Sequence, residues 1–103
     1  MLESDQKKIW GMLGLARRAG KIAGGAFQAE NAIKSGRACL VILAEDASDN
    51  TGKHFRDMCS YRNIRCLSMG DKEQLGKCAG FEMRSVLAVT DASMAEAVLK
   101  LVD

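Results

Sequence analysis

One stretch of the chain has residue types that suit the binding of an anion. Two glycines, Gly24 and Gly25, precede an amphipathic helical pattern, and Gln28 follows within the first turn. The N-terminus of a helix carries backbone N–H groups without partners, and glycine lets another backbone approach closely. Gln28 can hydrogen-bond to a base edge or a sugar, and Lys21 and Lys34 add positive charge nearby. The stretch therefore suits a phosphate or a nucleic-acid backbone, and it suits a plain turn into the helix equally well.

A second candidate site is the loop that follows Gly80. Large apolar side chains at Phe81 and Met83 have no helical or strand period that would bury them. They could cover a splayed-out base, while Glu82 and Arg84 bond to its edge or to phosphate. The alternative is that Phe81 packs under the edge of the sheet. We expect this loop and the glycine-led helix start to flank one face and form a continuous patch.

Few residues would support catalysis or metal binding. His54 is the one histidine, and its polar helical surroundings predict a solvated surface position rather than a catalytic base. None of the three Gly-Lys pairs continues into the Ser or Thr of a phosphate-binding loop. The cysteines never form the C-x-x-C pairs of a zinc site, which fits free thiols in a reducing compartment. They are Cys39, Cys59, Cys66 and Cys78. We expect no enzyme activity, no cofactor and no metal.

Length and charge limit the class of protein. The 103 residues suit a single domain over 1–103. The net charge is only +2, but residues 1–40 hold seven Lys/Arg against three Asp/Glu, which could steer an anionic partner. No apolar run approaches the roughly 18 residues of a membrane span, and the start lacks the order of a signal peptide. We expect a cytoplasmic protein without a membrane partner.

Helical and strand patterns alternate along the chain. Four short strands are predicted at 21–23, 38–44, 64–69 and 85–90, each separated from the next by a helix. Asp71 with Gln74 has the spacing of a capping box, and Asn63 and Gly80 are suited to end helices. One face of the second helix should carry Ala26, Ala29 and Ile33. The alternation predicts an α/β fold, a three-layer α-β-α sandwich around a small four-stranded mixed, largely parallel sheet.

Three segments together resemble a known family. They are AIKSGRACLVILAED after the glycine-led helix start, then LGKCAG, then VLAVTD. Their order and spacing resemble the kink-turn RNA-binding ribosomal proteins of the L7Ae and L30e superfamily, and within it the small bacterial YlxQ-like group. The likeness covers about residues 9 to 100. It implies the same α-β-α sandwich.

The resemblance also implies a set of site residues. Gly25 and Gln28 would belong to the helix start that grips the sheared G·A pairs of a kink-turn, and Lys72 would contact the RNA backbone. The family reads N-E-x-x-K after the glycine and one small residue. This chain departs from it with Phe27, which cannot hydrogen-bond, and Asn31, which carries no charge. The full candidate set is Gly25, Ala26, Phe27, Gln28, Asn31, Lys72, Phe81, Glu82, Met83 and Arg84.

These observations favour a non-enzymatic protein that binds structured, kink-turn-like RNA. Ribosomal RNA is a candidate partner, and association with the ribosome or with translation is expected from the resemblance. No small-molecule substrate is expected. The alternative is a protein-interaction adaptor on the same fold, with the Phe81 loop as its apolar anchor. Salt dependence separates the two, because nucleic-acid binding weakens steeply with salt and an apolar protein contact does not.

Overall fold

A computed structural model describes residues 3–80 and 82–103. Helices and strands alternate in it from end to end, as the sequence predicts. The elements are α1 (Glu3–Arg18), β1 (Ile22–Gly24), α2 (Ala26–Lys34), β2 (Leu40–Leu43), α3 (Asp49–Arg62), β3 (Arg65–Ser68), α4 (Lys72–Ala79), β4 (Val86–Val89) and α5 (Ala92–Val102).

Local side-chain chemistry sets the ends of most helices. The hydroxyl of Ser48 accepts a hydrogen bond from the third residue of α3 at 3.2 Å, and the Asp91 carboxylate accepts one at 2.9 Å from α5. Asp71 and Gln74 form the predicted capping box at the start of α4. Left-handed backbone follows α1, α3 and α4, where the sequence predicts their ends. The residues concerned are Gly20, Asn63 and Gly80.

The four strands form one mixed sheet in the order β1-β4-β2-β3. Strands β1, β2 and β3 run in one direction, whereas β4 runs the opposite way and lies between β1 and β2. Only the β2–β3 pairing is parallel, so the expectation of a largely parallel sheet is wrong. Helix–strand alternation does not fix the direction of β4, because six residues separate α4 from β4 and a connection of that length can bring the strand in from either end of the sheet.

Side chains alternate between the two faces of the central strands and pack against two sets of helices. On one face, Leu40 and Ile42 join a buried cluster with α1, α4 and α5. On the other, Val41 and Leu43 join a cluster with α2 and α3 that includes Phe55. The predicted α-β-α sandwich is confirmed. Within residues 3–80 and 82–103, no helix combines the length and apolar character needed to cross a membrane.

The pairing of β1 with β4 brings distant parts of the chain together. Gly24 is the register partner of Leu87, and the amide of Gly25 donates a hydrogen bond to the Val86 carbonyl at 2.9 Å. The start of α2 therefore lies beside the residues that lead into β4. This contact places the two candidate segments, some sixty residues apart in sequence, on one side of the molecule.

Candidate nucleic-acid interface

The start of α2 differs from that of the next three helices. Gly25 is its N-cap residue, with φ 107° and ψ 163°, and it makes no side-chain hydrogen bond to the first turn. Side chains cap α3, α4 and α5 instead. Ala29 is the first residue of α2 whose amide bonds back to the N-cap carbonyl. Backbone donors of the first turn of α2 are thus left for solvent or a ligand.

Two polar side chains lie over Gly25. A Cβ atom at this position would stand 3.0 Å from Oε1 of Gln28 and 3.2 Å from Nε of Arg84. The side chain of Arg84 continues to the Met83 carbonyl, to which Nη1 donates at 2.7 Å. The absence of a side chain at Gly25 leaves room for this arrangement. Gly25, Gln28, Met83 and Arg84 therefore lie together, and we call this area the patch. That it forms one binding site with the Phe81 loop stays a prediction.

The same loop is fastened to α4. The amide of Arg84 donates to the Lys72 carbonyl at 3.0 Å, and the amide of Lys72 donates to Oδ1 of Asp46 at 2.9 Å. Gly76 lies against the backbone of Glu82, so closely that any Cβ there would collide with it. These contacts hold the loop that contains Glu82 and Arg84 against α4, and the side chain of Arg84 reaches Gly25.

Several candidate side chains are open to solvent. Phe27 is 73% exposed and Met83 is 54% exposed, which is high for residues of their size. Gln28 and Asn31 are exposed as well. Ala26 is also exposed, so its predicted place on the buried face of α2 is wrong, since Ala29 and Ile33 form that face with Ala32. Phe81 lies outside the described residues, and its role stays a prediction.

The side of α2 next to α3 carries a different chemistry. Oε1 of Glu30 lies 2.5 Å from Nε2 of His54, and Lys34 approaches the same carboxylate at 3.4 Å. His54 and Lys34 hold the pKa of Glu30 below its ordinary value of 4.5. The charge of Lys34, which the sequence places near the site, is therefore paired with Glu30. His54 is exposed, as predicted, and pairs with a carboxylate.

Two residues near the patch were not among the candidates. Gly76 lets the loop pack closely against α4, and it belongs to the LGKCAG segment. A glycine inside a predicted helix is unusual, and this was the one sign in the sequence that it has a packing role. Arg37 lines a groove together with Gln28 and Asn31, and only the excess of basic residues in the first forty pointed to it. In residues 3–80 and 82–103, no group of three or more His, Cys, Asp or Glu residues could hold a metal ion.

Comparison with known proteins identifies close relatives. A protein of Bacillus subtilis named RNA-binding protein YlxQ is 40% identical over 92 residues, which are 89% of this chain and 92% of the relative. A protein of the same name from Enterococcus faecium is 30% identical over 103 residues, covering 100% of this chain and 99% of the relative.

Solved structures give the same picture of the fold. A protein of unknown function from Bacillus halodurans C superposes with a TM-score of 0.88 at 34% identity, over 93% of this chain and 97% of that one. The Giardia lamblia 15.5kD RNA binding protein superposes with a TM-score of 0.80 at 22% identity, over 99% and 88%, which is a likeness of fold. The model of one family matches residues 7–99, so the chain belongs to the ribosomal protein L7Ae/L30e/S12e/Gadd45 family.

Proposed function

We propose that this protein binds RNA and carries out no catalysis. Two relatives that match nearly the whole chain are named RNA-binding proteins, which supports the proposal. The single observation that carries it is the start of α2, where first-turn donors without a side-chain cap lie beside Arg84. Backbone donors, a helix dipole and a guanidinium on one patch favour a phosphate or another anionic oxygen.

The RNA that we propose is folded and kink-turn-like. The start of α2 is better suited to bind a kinked RNA than a regular RNA duplex. In a kinked RNA, the backbone N–H groups and Gln28 can reach base edges that are inaccessible in a duplex. Phe27 at 73% exposure offers an apolar surface to an unstacked base or a sugar. We extend the proposal to a cytoplasmic role in translation, with ribosomal RNA as a candidate partner.

The proposal is tested by titrating a labelled kink-turn RNA with the protein over a series of salt concentrations. A straight duplex of equal length serves as the matched RNA. We expect tighter binding to the kink-turn, and a logarithm of affinity that falls linearly with the logarithm of salt. The slope should be about −0.7 to −0.9 for each phosphate contacted. Equal affinity for both RNAs would contradict kink-turn recognition, and no binding to either would overturn RNA binding as a function.

A protein-interaction adaptor is the second candidate. Exposed apolar side chains on the patch, Phe27 and Met83, favour it, because such residues often anchor protein partners. Phe81 would belong to the same anchor by its place in the sequence. Binding of a protein partner with little dependence on salt, together with no affinity for either RNA in the titration above, would favour this function over the first.

A further inference from the structure

A groove runs beside the patch, on the side of α2 away from α3. Its volume is about 380 Å³, and it is lined by strand β1, by Gln28 and Asn31 of α2, by Arg37 and by Ala79 of α4. Two of the lining side chains belong to the candidate RNA-binding set. The other polar one, Arg37, comes from the turn between α2 and β2. The groove is therefore continuous with the proposed interface.

The chemistry of this groove suits an anion. Its polar side chains are one guanidinium and two amides, with no carboxylate among the lining residues. Two other grooves are different: Glu30 lines the one between α2 and α3, and Glu45, Asp46 and Asp71 line another. An anionic ligand would meet repulsion from those carboxylates, whereas the groove at Arg37 presents a cation and amide donors.

The guanidinium of Arg37 has donors to spare. Its Nε donates to the hydroxyl of Ser35 at 3.0 Å, the one hydrogen bond of this side chain within residues 3–80 and 82–103. Its two Nη groups therefore remain for a ligand. Arg17 brings a second cation close to the Ala79 wall, since its Nη1 lies 3.0 Å from where a Cβ of Gly80 would be.

We infer that this groove holds a phosphate of the bound RNA backbone and that Arg37 supplies its cation. The inference rests on the proposed function and extends the interface beyond the helix start. Asn31 lines the same groove, so a lysine at position 31 would bring its ammonium group into the same space. A phosphate there could then be held from either residue. Cations at positions 31 and 37 would therefore bind the same phosphate.

The test compares Arg37→Gln with the original protein on one kink-turn RNA. We expect Arg37→Gln to weaken binding roughly 1.5-fold to fivefold at low salt, the range of an exposed charge contact. The slope of log affinity against log salt should become less steep by about 0.7 to 0.9, because one phosphate contact is lost. Lys100→Gln removes the same charge from an exposed position on α5 and should leave the slope unchanged. Circular dichroism melting verifies that both variants fold.

A second variant tests whether the two positions serve one phosphate. Asn31→Lys should restore affinity and slope in the Arg37→Gln protein, but should add less when Arg37 is present, because contacts to a shared partner are not additive. An equal gain in both backgrounds would overturn the shared phosphate. An unchanged slope in folded Arg37→Gln would overturn this inference alone. Failure of the original protein to bind the RNA would overturn the proposed function, and this inference with it.

Discussion

Gly25 combines a positive φ angle with close neighbours on the side where a Cβ atom would lie, and both features favour glycine. Its φ of 107° lies where L-residues are strained, and the space that a Cβ would occupy is bounded by Gln28 and Arg84. The backbone strain that a side chain would cause affects folding, and the space that it would fill affects the position of Gln28 and Arg84. A substitution at this position therefore acts on stability and on the interface at once, and the two effects need separate measurements.

We expect Gly25→Glu to abolish RNA binding. The new carboxylate would stand among the donors of the α2 start and repel a phosphate, and the bulk would displace Arg84. Strain at this φ should also lower the free energy of unfolding, on the order of 1–3 kcal/mol. A binding titration and a urea melt of the same sample measure the two effects.

Gly11→Glu is the matched control for Gly25→Glu. Gly11 is exposed on α1 with open space around it, so the variant adds the same charge away from the patch. It should keep most of the RNA affinity. If Gly25→Glu folds and also keeps its affinity, the start of α2 does not belong to the interface.

The contact between Glu30 and His54 predicts a pH effect. Because the folded-state pKa of Glu30 is lowered, the contact stabilises the fold above the ordinary pKa of 4.5, and this stabilisation is lost as the pH falls through the lowered value. In His54→Gln we expect the titration midpoint of the Glu30 carboxyl, followed by NMR, to rise toward 4.5. The rise should be partial, since Lys34 still approaches the carboxylate. An unchanged midpoint would mean that His54 does not set this pKa in solution.

At the scale of elements, α4 holds the loop before β4 through a glycine. Gly76→Ala would drive a methyl group into the backbone of Glu82, so either the helix or the loop must shift. We expect a loss of about 1–3 kcal/mol in the free energy of unfolding, the usual cost of overpacking. RNA affinity should fall as well, because Arg84 moves with the loop. Urea unfolding and the kink-turn titration measure the two effects.

Gly14→Ala provides the comparison for Gly76→Ala. Gly14 is also inside a helix, but a Cβ there would meet nothing within 4 Å. Alanine should therefore stabilise α1 by roughly 0.5–1 kcal/mol, the ordinary helical preference for alanine over glycine. If both variants gain stability alike, the loop does not lie against α4 in solution.

The elements that the sequence predicts well are those with local causes. Asp71 with Gln74, and Asn63 at the end of α3, mark helix ends through contacts within a few residues, so their patterns can be read directly. The direction of β4 has no such local mark, and the sheet therefore has fewer parallel pairings than expected.

In the candidate site, too, only the residues with a local sequence pattern could be predicted. The glycine-led start of α2 is visible in the sequence because the glycines and the helical period are adjacent. The role that we propose for Arg37 is not visible in the sequence, because its place in a groove with Asn31 and Ala79 depends on how α2, β1 and α4 pack. The role of Gly76 could not be predicted either, because it depends on the close contact between α4 and the backbone of Glu82 in the folded protein.

At the scale of the whole molecule, charge is separated between two regions. Arg84 lies against the α2 start and Arg37 lines the groove beside it, whereas Glu45, Asp46 and Asp71 line a different groove. An RNA that approached the acidic groove would be repelled. This distribution favours one orientation of an anionic partner even though the net charge is only +2.

The central position of β4 has a consequence for the order of events during synthesis. Strands β1, β2 and β3 leave the ribosome first, yet β1 and β2 do not pair with each other in the folded sheet, since β4 separates them. A nascent chain that ends before residue 86 therefore has a gap in the middle of its sheet and lacks the Val86 carbonyl that anchors Gly25. The start of α2 and Arg84 come together only when β4 is in place. The proposed interface is thus completed late, after most of the chain has already been made.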